Sequence, residues 1–391
     1  MWQECMNEQS YITKLRRDLH QIPELGKELP KTQQYICDEL DRLGVPYTKN
    51  KMDSGIIGMI KGGLPGKTIL LRADIDALPI TEDTGLSFAS KHEGRMHACG
   101  HDTHAAMLLG ALKVLNSHKG ELKGNVKFLF QTAEEISKGA QVAISEGAMD
   151  GVDAVFGLHI GSILGTEIPS GTLVVVPGCV MASFDRFVIT AKGCGCHGSV
   201  PEKGVDPINI ASHIVIGLQE IIAREIAGAT PAVLTIGKIN GGFAYNVIPN
   251  EVVIEGTIRA FDEKVRQYMA RRIGEVAENT AKTFRGGCDY MMDWGAPPVV
   301  NDDAMASLAA SAATRVLGGK NVKTSLPQPN MGGEDFAYYL KEKPGAFMFL
   351  SSVNAEKGTD VPHHNPKFDV DEDVFSSGSA VFVSIVEDFL K

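Results

Sequence analysis

Helical and strand patterns alternate along the first part of this chain, and this alternation constrains the fold more than any other feature of the sequence. In chain order the patterns are the helices Tyr11–Gln21 and Lys31–Leu43, the strands Ile56–Lys61 and Thr68–Ala73, a helix at 105–117, the strand Asn125–Gln131, the helix Gly139–Glu146 and the strand Ala154–His159. Alternation of this kind predicts an α/β fold with helices on both faces of a sheet.

The pattern changes at about Ser183 and becomes β-α-β-β-α-β up to about Asp293. That order is typical of a ferredoxin-like sandwich, which has its own core. The α/β pattern then returns in the helix Ala304–Leu317, the strand Ala346–Ser351 and the helix Val374–Leu390. We therefore predict a discontinuous α/β domain at residues 1–182 and 295–391, interrupted by an inserted domain at residues 183–294.

The overall composition narrows the class of protein. The 391 residues carry a formal net charge of -10, which disfavours nucleic acid or an anionic membrane as a partner. Residues 1–10 lack the pattern of a secretory signal, and no apolar run reaches the roughly 18 residues that span a bilayer. The 7 cysteines are scattered along the chain and do not resemble a disulfide framework. We expect a soluble cytoplasmic protein with reduced thiols.

The segment 97–104, His-Ala-Cys-Gly-His-Asp-Thr-His, contains a thiol, three imidazoles and a carboxylate in eight positions. These are the usual ligands of divalent transition metals. A tight turn through Gly100 can direct both Cys99 and His101 at one ion, so we predict a loop here, with Asp102 in or near the first turn of the following helix. The alternative is a buried structural cysteine beside surface histidines.

Other strand patterns also end in residues that bind metals. Glu134 and Glu135 follow the strand that ends at Gln131, His159 ends the strand 154–159, and Asp74-Ile75-Asp76 follows the strand 68–73. Ligands bind outside the carboxyl ends of strands in open α/β sheets, so these groups should converge at one edge. A further pair of imidazoles, His363-His364, lies in a loop bounded by prolines.

Five segments resemble, in this order, the motifs of the M20 peptidase family: Leu71–Pro79, His97–His104, Gln131–Glu135, Asn246–Pro249 and Met331–Phe336. The chain is most similar to the amidohydrolase branch of that family, which contains N-acyl-amino-acid deacylases, hippurate hydrolases and auxin-conjugate hydrolases. The resemblance covers nearly the whole chain. It implies a metallopeptidase-type catalytic domain with an inserted lid domain, through which members commonly form homodimers.

The resemblance also implies a site for two divalent metal ions, zinc, manganese, cobalt or nickel, with the ligands Cys99, His101, Glu135, His159 and His364. Glu134 would be the catalytic carboxylate that takes a proton from metal-activated water. The wider family has His-x-Asp where this chain has Asp74-Ile75-Asp76, so Asp76 and Asp102 are expected to orient imidazoles rather than bind metal.

In the inserted domain, the resemblance assigns His197 to polarising the scissile carbonyl and Asn246 to binding the oxyanion or the substrate carboxylate. Arg259 would pair with that carboxylate. The chain departs from the family at Cys196, where a glycine usually precedes the histidine. Cys194 and Cys196 form either a reactive thiol pair or two small residues in glycine positions.

The predicted activity is metal-dependent hydrolysis of N-acyl amino acids to a carboxylic acid and a free amino acid. Three alternatives stay open. The enzyme could be a dipeptidase or carboxypeptidase with the same site; Cys99 could be a nucleophile activated by His101 or His97 without metal; or the chain could bind metal or ligand without catalysis. The expected assembly is a homodimer through the lid domain, possibly closing into a tetramer, and the expected partner is a small-molecule substrate.

Overall fold

The computed structural model describes residues 1–326 and 328–391. They form two compact units. The first unit comprises Met1–Val180, Val300–Gln328 and Asp335–Lys391, and the second comprises Met181–Val299 and Pro329–Glu334. The predicted α/β class is confirmed.

The described residues form strands of between two and eleven residues. In chain order they are β1 (Tyr47–Lys49), β2 (Ile56–Lys61), β3 (Leu64–Asp74), β4 (Lys123–Gln131), β5 (Ala154–Ile160), β6 (Leu173–Val174), β7 (Gly178–Met181), β8 (Asp185–Lys192), β9 (Cys196–His197), β10 (Ala232–Gly241), β11 (Val247–Ile248), β12 (Glu251–Ala260), β13 (Gly287–Asp293), β14 (Val299–Asn301), β15 (Val322–Lys323) and β16 (Gly345–Leu350).

The α-helices of the described residues range from one turn to more than five. In chain order they are α1 (Trp2–Cys5), α2 (Gln9–His20), α3 (Pro30–Leu43), α4 (His101–Ser117), α5 (Gly139–Ser145), α6 (Pro207–Glu220), α7 (Glu263–Thr283), α8 (Asp303–Leu317), α9 (Ala337–Glu342) and α10 (Phe375–Phe389). None of these helices combines the length and the apolarity needed to cross a bilayer.

The first unit contains a sheet of eight strands in the order β1-β2-β4-β3-β5-β16-β6-β15. The central strands β4, β3, β5 and β16 are parallel, so their carboxyl ends lie at one edge of the sheet. Side chains alternate between the two faces of β3. Ile69, Leu71 and Ala73 belong to the main apolar core, which also contains residues of α2, α4, α8 and α10, whereas Arg72 has its guanidinium over the ring of Phe336.

The second unit contains a sheet of four strands in the order β10-β12-β8-β13, all antiparallel. Helices α6 and α7 pack on this sheet and share its core. Each helix begins at an aspartate that accepts two backbone N–H groups, Asp206 before α6 and Asp262 before α7. The chain order β8-α6-β10-β12-α7-β13 is that of a ferredoxin-like sandwich; the lid role of this unit stays a prediction.

A buried ion-pair network joins α2 to the start of α4. The side chain of Arg16 is 1% exposed, and its Nε donates to Oδ2 of Asp102 at 3.0 Å. The same guanidinium donates to Asp369 at 2.7 Å. His20 places Nδ1 2.7 Å from the same oxygen of Asp102. The carboxylate of Asp102 therefore binds an arginine and a histidine of α2.

We expect Arg16→Met to lower the free energy of unfolding by about 3–5 kcal/mol, because the carboxylate of Asp102 would stay buried without its guanidinium partner. Arg17→Met is the matched control. Arg17 follows Arg16 directly, and both pair with Glu372, but the side chain of Arg17 is 47% exposed. The control should lower the free energy of unfolding by only about 0–1 kcal/mol. Urea unfolding of the metal-free proteins measures both. Equal costs for the two variants would contradict a special role for the buried network.

Candidate metal centre

The five side chains predicted as metal ligands come together at the carboxyl edge of the first unit's sheet. Each contributes a donor atom to a group of three whose atoms lie within 4.8 Å of one another. Four groups contain at least one of them, namely Cys99-Glu135-His364, Cys99-His159-His363, His101-Glu134-Glu135 and Asp74-His101-His104. Their positions follow from the sheet, because β3, β4 and β5 all end at this edge.

A turn through Gly100 brings Cys99 and His101 to the same place. Gly100 has a φ of 83°, which glycine adopts without steric cost. A Cβ there would lie 2.7 Å from Cγ2 of Ile160, so the close packing also requires glycine. The predicted turn through Gly100 and the place of Asp102 in the first turn of the following helix are confirmed, but α4 begins at His101 rather than at residue 105.

The loop that carries His364 is joined to the same turn. The backbone N–H of His364 donates to the carbonyl oxygen of Ala98 at 2.9 Å. His364 has a φ of 61°, a conformation uncommon outside glycine and frequent at functional sites. Its Nε2 lies 3.6 Å from Oε2 of Glu135.

Hydrogen bonds assign the same tautomer to two histidines at the centre, with the proton on Nδ1, but leave the lone pair of Nε2 available in only one of them. Nδ1 of His159 lies 2.8 Å from the carbonyl oxygen of Ile160 and must donate to it. The lone pair of His159 is therefore on Nε2, 3.5 Å from Sγ of Cys99. His104 uses both nitrogens within the protein, Nδ1 toward Asp74 at 2.5 Å and Nε2 accepting from the N–H of Ile160 at 2.9 Å. His159 is thus equipped to bind metal, and His104 is not.

Several buried polar atoms of the centre make no hydrogen bond with the described residues. They are both ring nitrogens of His101 and Oε1 of Glu135. Nδ1 of His101 lies 3.4 Å from Asp76, and its Nε2 lies 3.5 Å from Asp74 and 3.8 Å from Glu135. Buried polar atoms are normally hydrogen-bonded, so atoms left without a bond point to an ion. The donor set, with its thiol, imidazoles and carboxylates, fits a divalent transition metal.

The electrostatics of the centre also favour a cation. Burial raises the pKa of the Cys99 thiol well above its usual range, and the charges of Glu135 and Glu134 raise it further. Burial likewise raises the pKa of Glu135 to about 7. For His101, burial opposes protonation, but the surrounding carboxylates, that of Asp74 foremost, outweigh burial and raise the pKa to about 10. A bound divalent cation would compensate this crowding of acidic groups.

Asp76 and Asp102 have different surroundings. The two carboxylate oxygens of Asp76 accept the backbone N–H groups of Glu134 and Glu135, each at 3.2 Å. Ala133, just before this pair, has a φ of 56°, so Asp76 holds a strained turn in place. Asp102 instead accepts from Arg16 and from the imidazole of His20.

Sequence reasoning did not assign roles to several groups at this edge. Arg72, with a side chain 2% exposed, donates to Asp74 at 2.8 Å, to Gln131 at 2.9 Å and to Asp335 at 3.1 Å. Burial disfavours the charge of Asp74, but Arg72 and two imidazoles hold its pKa well below the usual range. The sequence contains a signal for this role, because Arg72 is an arginine within an otherwise apolar strand, and a buried arginine requires a buried partner.

The other three predicted site residues lie in the second unit. Nδ1 of His197 lies 2.8 Å from the hydroxyl of Ser199, and His197 lines a cavity of about 380 Å³ within this unit. Asn246 is exposed, and its carbonyl oxygen accepts the N–H of Gly198 at 2.8 Å. Arg259 stacks over the ring of Phe184 at 5.5 Å. Their catalytic roles stay predictions.

Comparison with known proteins gives the family. A model described as peptidase family M20/M25/M40 matches residues 70–388. The chain is 43% identical over 360 residues to N-acetyl-L-cysteine deacetylase of Bacillus subtilis (strain 168), covering 92% of this chain and 83% of that protein. It is 37% identical over 379 residues to thermostable carboxypeptidase 1 of Saccharolobus solfataricus, covering 95% and 93%.

Among solved structures, a Bacillus subtilis protein described as a dinuclear metal binding peptidase from the M20 family matches with a TM-score of 0.83 at 35% identity, covering 98% of each chain. The fold and these matches define a hydrolase of the metallopeptidase class. The chain belongs to peptidase family M20/M25/M40. The predicted family and the prediction of an amidohydrolase enzyme are confirmed.

Proposed function

We propose that this enzyme hydrolyses the amide bond of N-acyl amino acids, such as N-acetyl or N-benzoyl amino acids, and releases a carboxylic acid and a free amino acid. The observation that carries the proposal is the group formed by Glu134, Glu135 and His101, whose donor atoms lie within 4.8 Å of one another. It combines a candidate base with candidate metal ligands. The likeness to N-acetyl-L-cysteine deacetylase supports the same class of substrate.

Two divalent metal ions are part of the proposal. Their ligands would be Cys99, His101, Glu135, His159 and His364. Thiolate, imidazole and carboxylate donors suit zinc, manganese, cobalt or nickel. When bound, such ions supply Lewis-acid activation of water and of the scissile carbonyl.

Glu134 is the proposed general base. Its carboxylate takes a proton from the attacking water and delivers it to the nitrogen of the departing amino acid. Asp76 supports this role, because it accepts the backbone N–H groups of Glu134 and Glu135 and so fixes the segment that carries both carboxylates. Glu135 is then free to bind metal while Glu134 transfers the proton.

Three residues of the second unit complete the proposed mechanism. His197 polarises the scissile carbonyl, Asn246 binds the oxyanion or the substrate carboxylate, and Arg259 pairs with that carboxylate through its two-pronged guanidinium. The hydrogen bond between His197 and Ser199 supports the first role, because it orients an otherwise exposed imidazole.

A second candidate is a dipeptidase or carboxypeptidase that uses the same site. The likeness to thermostable carboxypeptidase 1 favours it. The two candidates differ in the acyl group, which is a simple acid in one and an aminoacyl residue in the other. Substrate preference therefore separates them.

We expect protein stripped of metal by a chelator to lose activity and to regain it with zinc, manganese, cobalt or nickel. The measurement is release of free amine from N-acetyl, N-benzoyl and longer N-acyl amino acids and from dipeptides. Preference for N-acyl amino acids is the expected result. Preference for dipeptides would replace the first candidate by the second. Activity that survives complete stripping would remove the metal from the mechanism and return Cys99 to consideration as a nucleophile.

Glu134→Gln should lower kcat by about 10²–10⁴, because an amide cannot accept the proton of water. Metal content, measured by elemental analysis, should stay at the level of the unmutated protein. Glu121→Gln, an exposed carboxylate beside His118, is the control and should leave kcat unchanged. Full activity of the Glu134 variant would exclude Glu134 as the base.

We propose a homodimer formed through the second unit. Strand β10 is an edge strand, and exposed apolar side chains lie on it and near it. Ile239 on β10 is 52% exposed, Phe243 in the following loop is 81% exposed, and Ile216 on the neighbouring helix α6 is 67% exposed. An edge strand with apolar neighbours is a surface that a second copy can cover.

Ile239→Asp should convert the dimer to a monomer, because a buried carboxylate at the interface would have no partner. Met291→Asp is a matched control on the opposite edge strand β13, and Met291 is also 52% exposed. Size-exclusion chromatography with light-scattering detection measures the mass of each assembly and also distinguishes a dimer from a tetramer. A monomeric unmutated protein, or equal dissociation of both variants, would contradict this interface.

The substrate is a small molecule, and neither nucleic acid nor membrane is a proposed partner. We place the enzyme in the cytoplasm, which the exposed and partly buried free thiols of Cys194 and Cys196 support, since such thiols persist in a reducing compartment. A fluorescent fusion viewed in cells tests the location.

A further inference from the structure

His363 lies beside Cys99 but belongs to no role described so far. Its Nδ1 is 3.5 Å from Sγ of Cys99. The ring packs against Phe368, with centroids 4.5 Å apart, and meets His159 edge to face at 5.2 Å. A Cβ on Gly161 would lie 2.3 Å from Nε2 of His363. The imidazole is therefore held in one position by close packing on several sides.

The backbone fixes the tautomer of His363. The N–H of Ser162 donates to Nε2 of His363 at 3.0 Å. A peptide N–H can only donate, so Nε2 must carry the lone pair. Because Nε2 accepts this bond, the ring has a single proton and is neutral. A neutral imidazole with a lone pair on Nε2 carries its proton on Nδ1, and this N–H points toward the sulfur of Cys99.

His159 and His363 therefore present opposite groups to the same sulfur atom. His159 offers the lone pair of Nε2 at 3.5 Å, and His363 offers an N–H group at 3.5 Å. A lone pair can bind a cation together with the sulfur, whereas an N–H group can only donate to the sulfur. This difference separates a candidate ligand from a group that acts on a ligand.

We propose that His363 is a positioning residue that donates a hydrogen bond from Nδ1 to Sγ of Cys99, fixes the orientation of that sulfur and reduces its electron donation to the metal. The inference rests on the proposed metal centre and deepens it. A donor to a ligating atom restricts the motion of the ligand and withdraws charge from it. The hydrogen bond that the N–H of Ser162 donates to Nε2 is what directs Nδ1–H of His363 toward the sulfur.

Two conservative variants separate the two nitrogens of His363. In His363→Asn the amide nitrogen lies near the former position of Nδ1 and can donate to Cys99, while the acceptor for Ser162 is lost. In His363→Gln the amide oxygen lies near the former position of Nε2 and can accept from Ser162, while the donor to Cys99 is lost. Each variant is the control for the other, because each removes one hydrogen bond of the same side chain.

The experiment loads both variants and the unmutated protein with cobalt. It measures the near-ultraviolet charge-transfer band from sulfur to cobalt and the cobalt dissociation constant, by competition with a chromogenic chelator. We expect His363→Gln to shift the band to longer wavelength, because the sulfur becomes more electron-rich. Cobalt binding should weaken about 10–100-fold, because the loss of a fixed sulfur orientation outweighs the gain in electron donation. His363→Asn should resemble the unmutated protein in both quantities.

The opposite pattern, with His363→Asn altered and His363→Gln normal, would show that His363 acts only through Ser162 and would overturn the proposal. If both variants bind one cobalt ion fewer than the unmutated protein, His363 is itself a metal ligand, and the proposal is overturned as well. Identical bands and affinities in all three proteins would remove any role for the hydrogen bond. A missing sulfur band in the unmutated protein would instead overturn the proposed ligand set itself, so the two failures are distinguishable.

Discussion

The buried carboxylate of Asp74 is the group on which the geometry of the centre depends. It lies at the end of β3 and is balanced by the guanidinium of Arg72 at 2.8 Å. Its other oxygen holds Nδ1 of His104, whose Nε2 accepts the N–H of Ile160. The carbonyl of that same residue accepts Nδ1–H of His159. The buried charge of Asp74 at the end of β3 thus acts through His104 and Ile160. It orients the lone pair of His159, a candidate ligand on the neighbouring strand β5.

The four clustered histidines have distinct roles that hydrogen-bond accounting separates. His104 has partners at both nitrogens, His159 and His363 each have one backbone partner, and His101 has none among the described residues. The position of the backbone partner decides whether a lone pair or an N–H faces the thiol of Cys99. Residue type alone makes these side chains equivalent, and only their backbone neighbours make them different.

Much of this arrangement could be predicted from the sequence, because it depends on local patterns. The alternating patterns predicted the strands of the sheet, and the rule that ligands gather at carboxyl strand ends predicted that Glu135 and His159 would lie at one edge. The start of α4 was harder, since it depends on the left-handed conformation of Gly100 and its packing against Ile160. The donor role of His363 was out of reach, because its tautomer depends on the N–H of Ser162, 201 residues away in the chain.

The turn that carries Cys99 is held from two sides by bonds that involve no metal. On one side, the N–H of His364 donates to the carbonyl of Ala98. On the other, the first turn of α4 is anchored by the buried pair of Asp102 and Arg16. A site whose ligands are held by the protein loses little conformational freedom when an ion binds, so more of the interaction energy appears as affinity. The buried ion pair of α2 and α4 thereby contributes to the candidate metal centre by fixing the backbone from which His101 projects.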